Sequence, residues 1–195
     1  MPILSLAEYE QLATVAHGHL CAGQILGLRL ALYGVRLLGL DDPAGADRKR
    51  LITYVEIDRC ATDAIAVVTG CRLGKRALKF VDYGKVAATF CDLRDGRAVR
   101  VSALESSRDR ARELYPEIAD RNQQQMRAYR ELPDEELFAA RWVKVDVPPQ
   151  DLPGYKAPRV TCENCGEAVS FAREVEANGR TLCRACAEGA YYRPA

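Results

Sequence analysis

Histidine is scarce in this chain, with two among 195 residues, and charge of either sign is not in excess: 28 Lys and Arg face 27 Asp and Glu, for a net charge of +1. No basic block occurs. Even in the tail, Arg159, Arg173, Arg180 and Arg184 alternate with Glu163, Glu167, Glu174 and Glu176. A surface for nucleic acid normally shows a clustered excess of Lys and Arg, so that partner is not expected. No secretory leader is visible, because Met1-Pro2-Ile3 opens without a basic segment or an apolar run. The most apolar stretch, residues 20–40, contains Arg29 and Arg36. A charge near the centre of a membrane span costs about 2.5–3.5 kcal/mol, so a buried core helix is expected and no membrane association. Eight cysteines without an export signal indicate a reducing cytoplasm, where thiols serve metal or redox chemistry.

A phosphate-binding loop is also missing. Gly70-Cys71-Arg72-Leu73-Gly74-Lys75 has three residues between its glycines where a Walker loop needs four, and Arg76 follows where Ser or Thr is required. What is left is Lys75 on a glycine turn and Lys85 in Asp82-Tyr83-Gly84-Lys85. Either could bind an anionic substrate group, although a solvated turn lysine is the commoner case.

Four cysteines make the strongest chemical statement. Cys162-x2-Cys165 and Cys183-x2-Cys186 stand seventeen residues apart near the C-terminus. Each C-x-x-C presents two thiolates from one tight turn, and two such turns make a closed tetrahedral cage suited to Zn2+. In Asn164-Cys165-Gly166 the glycine can take positive φ. Asn178-Gly179 lies where a hairpin must reverse. A structural zinc site is expected, with no open position for chemistry.

Along the rest of the chain, residues 4–15 read as a helix with Ser5 as N-cap and Glu8 completing a capping box. A break follows at His17-Gly18-His19, then the buried helix over 20–40. In it Gly23, Gly27 and Ala31 form a smooth stripe for close approach of another element. Residues 51–57 read as a strand, 62–69 as a short helix ending at Gly70, and 77–81, 86–91 and 98–103 as further strands. Residues 105–140 are charged and helical, with breaks near Pro116 and Pro133, and 142–147 alternate as a strand. The Pro-rich stretch after Val147 can neither pair nor continue a helix. The expected organisation is an α+β core over 1–147, a linker over 148–159 and a zinc module over 160–195. The core mixes helices with an antiparallel sheet, and the module resembles a zinc ribbon or treble clef.

Both histidines fall in His17-Gly18-His19-Leu20-Cys21, three potential ligands within five residues. Extended, positions 17, 19 and 21 point to one side; in a helix, His17 and Cys21 share a face. A second candidate set lies in Glu56-Ile57-Asp58-Arg59-Cys60-Ala61-Thr62-Asp63. There Cys60 precedes a short helix whose amides would favour its thiolate. Asp58 and Asp63 could orient a histidine or join a metal's surroundings, or simply cap the helix. Cys91 reads as core.

Taken in order, these segments resemble FmdE, a family named for a component associated with formylmethanofuran dehydrogenase. The residues that carry the resemblance are His17-Gly18-His19-x-Cys21-x-Gly23, Glu56-x-Asp58-x-Cys60-x-x-Asp63-Ala64-Ile65, Gly70-Cys71-x-x-Gly74-Lys75, Asp82-x-Gly84-Lys85 and the terminal C-x-x-C pair. Position 22 is Ala where the family often has Pro, and position 72 is Arg where a smaller polar residue is common. The resemblance implies an α+β core, a metal or active site around the H-G-H-x-C segment, a zinc-finger appendix and a homodimer. On that basis His17, His19, Cys21 and Cys60 are the candidate core site, with a second transition metal as their cofactor and Asp58 and Asp63 behind them. The expected function is metal binding in formylmethanofuran dehydrogenase-type or related redox metabolism. The alternative is a metal-handling or regulatory protein that docks a partner through its zinc module.

Overall fold

The computed structural model describes residues 3–193 and 195; the Met1-Pro2 start, on which the leader argument rests, lies outside the described residues. The chain divides between Asp146 and Val147 into two compact units. In the first, α1 (Leu6–His17) opens with the expected capping box: Glu8 N–H donates to the Ser5 hydroxyl, and Ser5 N–H donates to the Glu8 carboxylate at 2.8 Å. The helix runs on to His17 because the chain turns only at Gly18, whose φ of +93° suits glycine alone.

Next comes α2 (Ala22–Leu37), the buried helix, with Ile25, Leu28, Leu30, Ala31 and Val35 fully out of solvent. Its two arginines are put to structural use. Arg29 donates to the carbonyls of Tyr129 and Leu132, at 2.7 and 2.8 Å, and to Asp134 at 2.8 Å; Arg36 pairs with the same carboxylate. These carbonyls end a later helix and lack partners within it, so the arginine satisfies them and complements the helix dipole. Among the described residues no helix is long and apolar enough to cross a membrane.

The sheet is built from β1 (Leu51–Val55), β2 (Leu78–Phe80), β3 (Ala87–Asp92), β4 (Ala98–Ala103) and β5 (Phe138–Val143), in the order β2-β1-β3-β4-β5. Between β1 and β2 lies α3 (Cys60–Thr69), closed by Gly70 at φ +65° and followed by a 3-10 turn over Leu73–Lys75. That crossover makes β1 and β2 parallel, with Val55 beside Phe80; the other pairs are antiparallel. The helices α4 (Ser106–Leu114), α5 (Arg121–Glu131) and α6 (Asp134–Leu137) fill the stretch before β5. The α+β class is therefore as expected. The last strand is not where it was expected: it occupies Phe138–Val143 rather than 142–147. Pairing with β4 decides this, since the register from Ala103↔Phe138 to Ala98↔Val143 uses all of β4. Phe138-Ala139-Ala140 alone fits a helix end equally well.

The glycine stripe of α2 meets α3. A Cβ at Gly27 would lie 2.5 Å from the Ala61 carbonyl oxygen and 2.7 Å from its Cα, and one at Gly23 would lie 3.4 Å from the Cys60 Cβ. The second unit contains two hairpins, β6 (Val160–Thr161) with β7 (Ala168–Val169) and β8 (Val175–Ala177) with β9 (Arg180–Leu182), then α7 (Arg184–Glu188). Asn178 and Gly179 both have positive φ, +53° and +73°, as a tight hairpin turn requires.

Gly27→Ala forces α2 away from the α3 backbone. We expect it to lower the unfolding free energy by about 1–3 kcal/mol, the usual cost of overpacking, measured by urea denaturation.

Candidate metal centre

The terminal cage forms as its spacing requires. All four sulfurs, from Cys162, Cys165, Cys183 and Cys186, lie within 4.8 Å of one another, and Cys165 Sγ to Cys183 Sγ is 3.9 Å. Zinc–sulfur bonds of about 2.3 Å give a tetrahedral edge of about 3.8 Å, so the donors fit the ion. Gly166 turns the first knuckle with φ +75°. Cys183 is the N-cap of α7, which brings Cys186 round one turn later. Backbone N–H groups of Cys165 and Cys183 point at the Cys162 sulfur and bring its thiol down to about 6. The Asn164 amide donates to Cys186 Sγ at 3.3 Å. Such N–H donors stabilise thiolates, the form a metal takes.

The core cluster is assembled from three segments. His17 is the last residue of α1, Gly18 reverses the chain, and Cys21 is the N-cap of α2. Ligand atoms of His17, His19 and Cys21 all lie within 4.8 Å of one another, and the two imidazole centroids are 4.8 Å apart. The first turn of α3 supplies the rest. Asp63 Oδ2 is 2.7 Å from His17 Nδ1. A carboxylate only accepts, so Nδ1 carries the proton and the Nε2 lone pair is free to bind a metal or a proton.

Cys60 stands beside Cys21, and it lines one depression of about 380 Å3 with His17, Asp58 and Asp63. It also lines a cavity of about 470 Å3 with Cys21, Leu26 and Tyr129. The expectation of a lowered thiol is corrected here. Cys60 is the first residue of α3, yet burial and the adjacent Cys21 side chain raise its pKa, outweighing the helix-start amides. Asp58 is exposed on the wall of both hollows, while Asp63 is the residue that holds histidine. Lys85 lines an adjoining cavity of about 500 Å3; Lys75 is exposed on the 3-10 turn and lines none of these three. Cys71 and Cys91 are buried, and Cys91 is pushed up to about 12 by burial, as befits core thiols.

Sequence reasoning missed Asn122, whose side-chain oxygen accepts from the Ala22 N–H at 2.9 Å and so secures the backbone next to Cys21. It missed Leu26, Ile57, Val86, Arg108 and Tyr129 as cavity walls as well. Nothing local marks Asn122 and Arg108, which reach the site across about a hundred residues of chain, whereas Ile57 and Leu26 stand within five residues of Cys60 and Cys21.

Comparison with known proteins places this geometry. Residues 16–139, which contain the whole core cluster, match the family described as FmdE, molybdenum formylmethanofuran dehydrogenase operon. The chain belongs to the FmdE family. Residues 156–192 match the prokaryotic dksA/traR C4-type zinc finger, which assigns the terminal cage to a zinc-finger family. A relative named "Probable S-adenosyl-L-methionine-binding protein", from Archaeoglobus fulgidus, is 32% identical over 196 residues, covering 90% of this chain and 51% of that protein. This FmdE chain thus spans about half the length of that curated relative. A crystal structure of an FmdE-like protein of the tungsten formylmethanofuran dehydrogenase type, from Syntrophus aciditrophicus, superposes with a TM-score of 0.65. It covers 97% of this chain and 96% of that one at 22% identity, and the likeness is one of fold.

Cys183→Ser removes both a cage donor and the α7 N-cap. We expect it to release about one zinc equivalent per chain, measured with a chromogenic chelator, and to speed tryptic cleavage beyond Asp146, since the fold of such small modules depends on the metal.

Proposed function

We propose that this FmdE protein holds a transition metal on His17, His19 and Cys21, facing a cavity that admits a small molecule, and that it serves formylmethanofuran dehydrogenase-type or related redox metabolism. The observation that carries this reading is the His17–Asp63 pair at 2.7 Å. It is the arrangement by which proteins fix the tautomer and orientation of a metal-binding imidazole. Two imidazoles and a thiolate are borderline-soft donors suited to zinc and its neighbours. A metal held by three protein donors would supply Lewis-acid polarisation and an acidified bound water. Cys60, beside Cys21, is available as a fourth donor or as the thiol that meets the ligand. Asp63 holds the His17 proton at Nδ1, and Leu26 and Tyr129 supply apolar walls to the cavity at the thiols.

The archaeal relative's printed name supplies one ligand class, S-adenosyl-L-methionine, and a cavity of about 470 Å3 is of a size to take such a molecule. A homodimer in the cytoplasm is part of this proposal, on the FmdE likeness. A second reading, a metal-handling or regulatory protein docking a partner through the zinc finger, is favoured by Tyr191 and Tyr192. Both are exposed and pack edge-on, with centroids 5.1 Å apart. Aromatic side chains of this kind are enriched where proteins meet partners.

The test is metal stoichiometry after anaerobic purification. The wild-type chain should carry about two metal equivalents, and His17→Ala with Cys60→Ala about one, kept by the cage. Equal content in both proteins would overturn the core assignment. Asp63→Ala should keep the donors yet weaken Co2+ binding to the core by about 10–100-fold, followed by cobalt absorption.

A further inference from the structure

Two of the cavities in the FmdE core share a wall and together make up a cleft. Leu26, Ile57, Gly84, Val86 and Arg108 line both the 470 Å3 cavity at the thiols and the neighbouring 500 Å3 cavity. Its two ends differ in chemistry. At one end stand Cys21 and Cys60, with Asp58 and Arg59 of opposite charge beside them. The shared waist is formed by the apolar side chains Leu26, Ile57 and Val86, with Gly84 and Arg108 beside them. At the other end stand Lys85, Arg100 and Ser102.

The cations that line the 500 Å3 cavity are not equivalent. Arg100 is closed off by a bidentate pair with the buried Glu56 carboxylate, both bonds 2.6 Å, and serves as wall. Arg108 pairs with the exposed Glu105 at 3.0 Å. Lys85 has no carboxylate within ion-pair distance among the described residues; its ammonium lies 5.8 Å from the Tyr83 ring centroid. Its backbone is fixed nevertheless, because its N–H donates to the Glu56 carbonyl at 3.1 Å, next to the Gly84 turn at φ +63°. Lys85 is exposed at the mouth of this cavity, and Glu105 on the same wall is already paired with Arg108, so the lysine is a cation without a carboxylate partner and a seat for an anion. Small-molecule sites are built in this way, mostly apolar with a few placed polar groups.

The geometry points to an elongated organic anion as the ligand class: a terminal carboxylate or phosphate seated by Lys85 with Arg108 beside it, an apolar stem through the waist, and the far end at Cys21 and Cys60. The last part rests on the metal-site reading above; the anion seat does not.

The probe is 8-anilinonaphthalene-1-sulfonate, an apolar anion, titrated by fluorescence into the full chain and competed with octanoate, octyl phosphate and octanol. Octanoate or octyl phosphate should displace the probe at concentrations at least tenfold lower than octanol, and the better of the two identifies the anionic group. Lys85→Met should weaken the anionic competitors about tenfold and leave octanol unchanged, with Lys75→Met as the exposed control that changes nothing. Octanol competing as well as octanoate, or Lys85→Met binding like wild type, would overturn the proposal. His17→Ala with Cys60→Ala, measured in parallel, should keep the Lys85 dependence. A metal-free core with an intact anion seat would sink the metal reading alone, and a metal-bound core without charge selectivity would sink the anion seat alone.

Discussion

The close approach of α2 to α3 organises the core of this protein. At Gly27 the α3 backbone occupies the space where a side chain would begin, with the Ala61 carbonyl 2.5 Å from the position of a Cβ. The first turns of the two helices lie side by side, with a Cβ at Gly23 only 3.4 Å from the Cys60 Cβ. Cys21 caps the start of one, and Cys60 begins the other. The thiol pair at the candidate site follows directly from that packing. So does the reach of Asp63, one turn into α3, to His17 at the end of α1. A glycine stripe that reads in sequence as a packing surface thereby sets the geometry of the candidate site.

The charged residues of the buried helix have a similar double consequence. Arg29 costs more to bury than any neighbour on α2, and the cost is offset by four acceptors: the carbonyls of Tyr129, Arg130 and Leu132, and Asp134. Charged hydrogen bonds of this kind are roughly twice as strong as neutral ones. They tie the C-terminal end of α5 to the middle of α2, while Asn122, at the other end of α5, accepts from the first amide of α2. The helix α5 is thus held at both ends. The cavity wall that Tyr129 contributes is positioned by this clamp.

The zinc-finger cage and the candidate core site contrast in how they are specified. In the zinc finger each pair of donors comes from one turn, and the hairpin between them reverses at Asn178-Gly179, so a short segment contains the entire instruction. In the core, His17, His19 and Cys21 are local, but Cys60 and Asp63 come from another helix and Asn122 from a third. A turn that presents two thiolates needs little more than a positive-φ residue. A mixed His/Cys site with an open cavity needs walls, and walls come from packing.

From sequence alone, the α+β class, the closed cysteine cage, the capping box at Ser5, the break at Gly18 and the packing stripe on α2 were all legible. The cap and the break are set by residues within about one turn of each other, and the stripe, the cage and the class by short-range spacing repeated along the chain, so the physics is local: a cap, a positive φ, a periodicity. The H-G-H-x-C segment and the Cys60–Asp63 segment were legible as separate candidates. The tertiary structure alone decided that they meet, that Asp63 and not Asp58 holds His17, that burial raises the Cys60 thiol, and that Lys85 and not Lys75 lines the cleft. It also decided where β5 begins, because Phe138 pairs with Ala103 across the sheet. Contact between distant segments, and the desolvation that follows from it, depends on how helices and strands pack, and no spacing along the chain encodes it.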